Sequence, residues 1–214
     1  MKILNEKQGI KFRIIQPSDF EQTVDLCSQI FTKYEPMTRT VKINHKEFKT
    51  LAEPYCQKAI EDEISIVATD CNEKVVGFTI SKDLMTEPAN LNEINDKFEP
   101  ITAFLHELNF NYKLKNSLQL GQVLHIFLLG VKEEYKNQKI ASTLVENNLR
   151  IAKLKNFSLA ITEASGLISQ HIFRKLGFRE EVNLFYDSYT FKGEKIFSSI
   201  SDSASCILMS HSIL

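Results

Sequence analysis

Residues Val131 to Ser142, VKEEYKNQKIAS, join an apolar run, VLHIFLLGV at 123–131, to a segment carrying Leu144, Val145 and Leu149 on one side. A strand that feeds a helix through such a turn can do chemistry. The first N–H groups of a helix have no intrahelical partner, and the helix dipole adds partial positive charge. That makes an anion site without any special side chain. Lys136 and Lys139 add two formal charges, and a diphosphate is the natural guest. The same residue types also suit an ordinary solvated helix start. Neither GxxxxGK[ST] nor GxGxxG occurs, which excludes a P-loop and gives a dinucleotide fold little support. Cys27, Cys56, Cys71 and Cys206 are scattered with no CxxC pair, so no metal or disulfide framework is expected, only reduced thiols in or near the core.

The elements that must position this turn can be read along the chain. FRIIQ (12–16) predicts a strand, and Pro17-Ser18-Asp19 starts a helix that runs through Phe31 and stops near Glu35-Pro36. A second helix is predicted from about His45 to Asp62, with Pro54 a possible interruption. Residues 64–70 and 75–83 read as a β-hairpin, each arm β-branched and apolar around a polar turn. A polar excursion at 84–100 precedes a helix at 101–114. The 121–131 strand is apolar on both faces, as in a sheet centre. A further strand at 157–164 and a short helix at 166–178, closed by Gly177, follow. Two final strands are predicted around 183–191 and 205–213. The order β-α-α-β-β-α-β-α-β-α-β-β predicts one α/β domain over 1–214 with a mixed central sheet flanked by helices.

Composition bounds the function. The chain has 214 residues, a net charge of -1 and 43% hydrophobic residues, so nothing draws the whole molecule to nucleic acid or an acidic membrane. The N-terminal MKILNEKQGIKF carries charges where a signal peptide is apolar, and apolar runs fall short of the ~20 residues that span a bilayer. A soluble cytoplasmic protein is expected.

Two motifs then carry a family resemblance. VKEEYKNQKIA supplies Val131, Tyr135, Lys136, Ile140 and Ala141, and IFRKLGF (172–178) closes a helix; together they resemble the acetyl-CoA motif and the "LYxKLGF" helix end of the GCN5-related N-acetyltransferases (GNAT). The resemblance covers about residues 12 to 213 and implies the GNAT fold. It further implies acetyl-CoA as co-substrate, with no metal. The pantetheine arm would pair with the backbone of Leu129, Gly130 and Val131, and Val131 would aim an N–H at the thioester carbonyl, where such a donor stabilises an oxyanion. The pyrophosphate would be held by Lys136, Asn137, Gln138, Lys139, Ile140, Ala141 and Ser142. Asn137 and Lys139 stand where the family usually has glycine, whose lack of Cβ lets a phosphate approach the backbone.

Two further stretches, FTKYEPMTR (31–39) and LFYDSYTFKGEKIF (184–197), resemble arylalkylamine (dopamine-type) N-acetyltransferases. That likeness implies Glu35 as general base, assisted by Ser165 and Ser169, which would share a helix face if the helix already includes Ser165. The chemistry needs a base. An alkylamine has a pKa near 10, so roughly one molecule in a thousand is neutral and nucleophilic at pH 7. Solvated charge for Glu35 and helix capping for the serines are the structural alternatives. By strand periodicity His125 shares a face with Phe127, Leu129 and Val131, as a relay or as a hydrogen-bonded core histidine. Phe173 replaces the family's thiolate-protonating tyrosine, and Tyr186 and Tyr189 are alternative donors by residue type. Phe31, Tyr34, Phe104 and Phe110 are candidate linings of an arylalkyl pocket. The resemblance thus implies acetyl transfer to the primary amine of a small arylalkylamine or polyamine by direct attack in a ternary complex. Acetylation of a protein or peptide, and a CoA-binding protein without turnover, are the alternatives. Residues 84–120 exceed what the core fold needs and are expected to form a lid or wall over the amine site.

Overall fold

The computed structural model describes residues 3–213, apart from 90, 92–93 and 114–117. Among the described residues eight strands, numbered in chain order, form one sheet in the order β1-β2-β3-β4-β5-β6-β8-β7. Strands β1 (Ile3–Lys7) and β2 (Ile10–Ile14) form a hairpin through Gln8 and Gly9, both at positive φ. Then come α1 (Phe20–Tyr34), α2 (Pro36–Thr40), α3 (His45–Asp62), and the hairpin β3 (Ile66–Thr69) and β4 (Val75–Asp83). Next are α4 (Glu99–Lys113), β5 (Val123–Val131), α5 (Ile140–Leu154), β6 (Leu159–Ala164), α6 (Leu167–Lys175), β7 (Arg179–Phe185) and β8 (Ser205–Ser212). The sheet is mixed: β5 and β6 are parallel, and β8 runs antiparallel between β6 and β7. No helix among the described residues is long and apolar enough to cross a membrane.

A mixed sheet flanked by helices matches the sequence reading, with these differences. The β1 strand was not anticipated; its residues are mostly exposed, so it shows no buried face to read. Helix α3 runs unbroken through Pro54, because Phe48, Leu51, Ala52, Tyr55, Cys56 and Ala59 bury a continuous face that outweighs one lost backbone bond. The strand read at 183–191 is displaced to 179–185, and Tyr186 to Ala204 form a loop held by a Phe191–Glu194 bridge. The last position of the helix read at 101–114 lies outside the described residues. Three cysteines are buried and Cys71 is exposed, all as free thiols.

Two cores fill the two faces of the sheet. One packs α1, α3 and α4 through Val24, Phe48, Phe104 and Phe78; the other packs α5 and α6 through Leu144, Val145, Phe173 and Ile126. The entry to α1 is fixed by the buried Arg13–Asp19 ion pair, whose second bond runs from Nη2 to Oδ1 at 2.8 Å. Both side chains are below 5% exposed, 4% and 3%, so each charge depends on the other for its solvation.

Candidate active site

The site begins with a break in the sheet. Between β4 and β5 the register advances one residue on β4, Ile80 to Ser81, but two on β5, Leu128 to Ile126. Phe127 is thus the extra residue of a β-bulge, and a bulge re-aims the side chains beyond it. The reading that His125, Phe127, Leu129 and Val131 share one face is corrected here. Phe127 packs into the α1–α3 core, whereas Leu129 and Val131 pack toward α5.

Pairing of β5 with β6 also stops just before the bulge, at His125 against Ile161. Past it the two parallel strands separate and leave a gap. Lys132 donates its N–H to Val76 on the β4 side, at 2.8 Å. By the alternation of an extended strand, the Val131 N–H turns the other way, into the gap. Gly130 is required here, because a Cβ on it would lie 2.6 Å from Phe78 Cζ and 2.9 Å from Ile30 Cδ1.

The chain then makes a 3-10 turn at Glu133–Tyr135 and enters α5 through Lys136 to Lys139. Asn137 and Lys139 adopt φ of 64° and 59°, so the left-handed conformation that glycine suits is kept without glycine. Lys139 is the N-cap of α5 and makes no side-chain cap. The first helical bond in the turn joins the Thr143 N–H to the Lys139 carbonyl, so the N–H groups of Ile140 to Ser142 have no helical carbonyl before them.

These pieces border an outer cavity of about 840 Å³. Leu129, Gly130, Val131, Lys136, Asn137 and Lys139 through Ser142 all line it, while Gln138 does not and is exposed. Lys136 lies 3.3 Å from Glu133 and its ammonium sits 4.3 Å from the centre of the Tyr34 ring. Glu133 also takes Lys33 at 2.6 Å and the Tyr34 hydroxyl. These partners, Lys33 first, hold its carboxyl down at about 2. Among the described residues Lys139 has no ion pair and is the uncommitted cation at the helix start. Free N–H groups, a strand edge without a partner and an uncommitted lysine are the donor set that a diphosphate with an extended amide-bearing arm requires.

An inner cavity of about 550 Å³ meets the outer one, and Phe31, Glu35, Phe127, Glu163 and Ser165 line both. Glu35 ends α1 and caps α2: Met37 N–H donates to Oε1 at 3.2 Å and Thr38 N–H to Oε2 at 2.6 Å. A carboxylate has about four acceptor positions, so two remain for other donors. A Cβ on Gly166 would lie 3.9 Å from Pro36 Cγ, so the Glu35–Pro36 corner sits against Ser165–Gly166.

Ser165 precedes α6, which starts at Leu167, so it does not share a helix face with Ser169. Ser169 caps the helix, its hydroxyl donating to the Gly166 carbonyl at 2.8 Å and accepting its N–H at 3.3 Å, and it lines the outer cavity only. Phe173 lines the outer cavity too. Tyr186 is buried and donates to the Ser165 carbonyl at 2.7 Å, and burial pushes its hydroxyl pKa far up. Neither Tyr186 nor Tyr189 lines either cavity. Of the aromatic candidates, Phe31 lines both cavities and Tyr34 the outer one; Phe104 is core and Phe110 is exposed.

One group of polar residues was missed in the sequence. Glu163 on β6, 5% exposed, accepts from His125 Nε2 at 2.6 Å and from Asn109 Nδ2 at 2.6 Å. Burial raises its carboxyl, but the charge and bond of His125, with the Asn109 bond, outweigh this and leave it lowered. The only sequence signal was an acid inside the otherwise apolar strand LAITEA. Residues of the 84–120 stretch, among them Leu84, Glu87, Phe98, Ile101 and Asn109, wall the inner cavity; residues 90, 92–93 and 114–117 of that stretch lie outside the described residues. Among the described residues no group of three or more His, Cys, Asp or Glu is placed to hold a metal.

Comparison with known proteins was made against this geometry. The chain superposes on the C-terminal condensation domain of Ebony, bound to beta-alanyl-dopamine, with a TM-score of 0.86 at 18% identity, covering 95% of this chain and 98% of that one. Arylalkylamine N-acetyltransferase 2 from Aedes aegypti gives 0.83 at 22% identity, covering 97% and 100%. The polyamine N-acetyltransferase of Drosophila melanogaster gives 0.75 at 16%, covering 95% and 99%. At these identities the likeness is one of fold. No curated protein matches by sequence. A family model, described as "Acetyltransferase (GNAT) family", matches residues 27–178.

Proposed function

The chain belongs to the acetyltransferase (GNAT) family, and on that premise we propose that it transfers an acetyl group from acetyl-CoA to the primary amine of a small arylalkylamine. The observation that carries this is the meeting of the two cavities at Glu35 and Ser165. A donor entering from the outer side and an amine from the inner side come together where Phe31, Glu35, Phe127, Glu163 and Ser165 line both cavities. The inner cavity, about 550 Å³, falls in the range of small-molecule sites, which suits a small amine. We read residues 1–214 as one such domain, acting in the cytoplasm.

The roles follow from position. Acetyl-CoA supplies the acyl group as a thioester. The N–H groups at the start of α5 and Lys139 hold its diphosphate, and the open edge of β5 holds the arm. The Val131 N–H faces the carbonyl oxygen as it gains negative charge, a contact typically worth a few kcal/mol. Glu35, with acceptor positions free at the junction, takes the proton of the incoming ammonium, directly or through water. Ser165 lines the same junction; the amine nitrogen would attack the thioester carbon, the C–S bond would break, and the second amine proton would go to the departing thiolate, directly or through Ser165. Ser169 acts one step removed, by fixing the backbone that carries Ser165.

The test is thiol release from acetyl-CoA with tryptamine, dopamine, phenethylamine, spermidine and a lysine peptide, wild type beside Glu35→Gln across pH. An arylalkylamine turned over by the wild type, with a loss of roughly 10²–10⁴ in the variant near neutral pH that shrinks at high pH, is expected. Turnover of the peptide alone overturns the amine assignment. Coenzyme A binding without turnover of any amine overturns the enzymatic one.

A further inference from the structure

The turn before α5 brings two lysines to the outer cavity, and they are held differently. Lys139 has no ion pair among the described residues. Lys136 is tied down: its ammonium lies 3.3 Å from Glu133 Oε1 and 4.3 Å from the centre of the Tyr34 ring at the end of α1. The backbone makes this pairing local, because the 3-10 turn joins the Lys136 N–H to the Glu133 carbonyl at 3.1 Å. Glu133 itself lines neither cavity. Its carboxylate divides its partners between its two oxygens. Oε2 takes Lys33 at 2.6 Å and the Tyr34 hydroxyl, and Oε1 takes Lys136. The bond to Lys136 is longer than the bond to Lys33, and Lys136 lines the outer cavity whereas Lys33 does not. If Lys136 turns away, Glu133 keeps Lys33 and Tyr34 on its other oxygen. The contact to the cavity lysine is therefore the one that can be surrendered without leaving a bare carboxylate.

We propose that Glu133 is a built-in competitor of the co-substrate's diphosphate: it holds Lys136, gives it up to the arriving anion, and so sets the affinity for coenzyme A below what the cations of the turn would otherwise give. The proposal rests on the outer cavity being the coenzyme A site. Lysine suits the exchange, since its ammonium is a compact charge on a flexible stem and pairs with any oxygen anion within reach. The side chains of Lys136 and Glu133 are 45% and 52% exposed, and pairs this open to water are weak enough to be broken by a second anion. Glu133 keeps its charge across the neutral range, because Lys33, Tyr34 and Lys136 hold its carboxyl down at about 2, so only substitution removes the competitor. A restrained hold on coenzyme A also favours its departure after transfer, a step that often limits turnover. Glu133 acts through Lys136 and is a positioning residue.

The experiment is calorimetric titration of the full chain with coenzyme A, at low and moderate salt, in the wild type, Glu133→Gln, Lys136→Met and the double variant. Both positions are exposed, so all four proteins should fold, and thermal unfolding checks this. Glu133→Gln is expected to bind coenzyme A about threefold to fivefold tighter at low salt, the range an exposed ion pair allows, with a smaller gain at moderate salt. In the Lys136→Met background the same substitution is expected to gain clearly less, because there is no lysine left to free. Unchanged or weaker binding by Glu133→Gln overturns the proposal. So does an equal gain with and without Lys136, which would mark simple repulsion by Glu133 or capture of the anion by the released Lys33. The two readings fail differently. A wild type that binds no coenzyme A sinks the transferase reading and this one with it, whereas a wild type that binds and a variant that matches it sink this one alone.

Discussion

Replacing Lys139 separates two effects that the turn before α5 combines. Its φ of 59° costs a residue with a Cβ roughly 1–2 kcal/mol. Glycine removes that cost, but its freer unfolded chain returns about 0.5–1 kcal/mol of it. Lys139→Gly should therefore be more stable by about 0.5–1 kcal/mol, a rise in Tm of roughly 2 °C for a chain of this size. Cofactor binding should move the other way. An exposed ammonium about 4 Å from a phosphate contributes on the order of 1 kcal/mol in a water-like environment, so losing it should weaken coenzyme A binding about fivefold. Lys139→Asn is the control, because asparagine tolerates positive φ, keeps a Cβ and lacks the charge. Thermal unfolding and calorimetric titration with coenzyme A, at low and moderate salt, read both effects. Both variants should bind more weakly, with a shallower salt dependence, and only the glycine variant should be clearly stabilised. If Lys139→Gly binds coenzyme A more tightly than wild type, close backbone approach outweighs the charge and the reasoning is wrong. If neither variant changes affinity, the diphosphate does not lie at this turn.

Asp19→Ala leaves the Arg13 guanidinium buried without its partner, and chemical denaturation should show a loss of about 3–5 kcal/mol with activity per folded molecule retained. Gly130→Ala forces a Cβ against Phe78 and Ile30, so a loss of about 1–3 kcal/mol is expected; an unchanged Tm would show that α1 and β5 can separate freely. Glu163 has a folded pKa below its unfolded value, so its paired form stabilises above the unfolded pKa and that contribution fades as pH falls through the folded one. The stability gap between wild type and Glu163→Gln should accordingly be full near pH 6 and close on acidification; a gap that widens in acid would mean the sign is wrong.

The β-branched, apolar arms ISIVATD and VVGFTISKD and the doubly apolar VLHIFLLGV were enough to predict the central strands, because burial leaves a direct mark on residue type. The strand-turn-helix with its two lysines was legible for the same reason: a helix start leaves its N–H groups free whatever surrounds it. The hairpin strand at Ile3–Lys7 left no such mark, being mostly exposed. Nor could periodicity show the bulge at Phe127, since one unpaired residue reverses every face assignment beyond it and is defined only by what lies opposite on β4. The proximity of Glu35 to Ser165 spans 130 positions and comes from α2 placing Pro36 against Gly166. The partners of Glu163 are likewise invisible in LAITEA: they arrive from α4 and β5, and only their convergence makes a buried carboxylate tolerable. Residue types and local periodicity thus determined which segments are strands and helices and where a helix start leaves its N–H groups free. Which side chains meet at the junction of the two cavities, and which are spent on capping, was decided by the tertiary structure, because those contacts join residues far apart in sequence whose energies depend on burial and on each other.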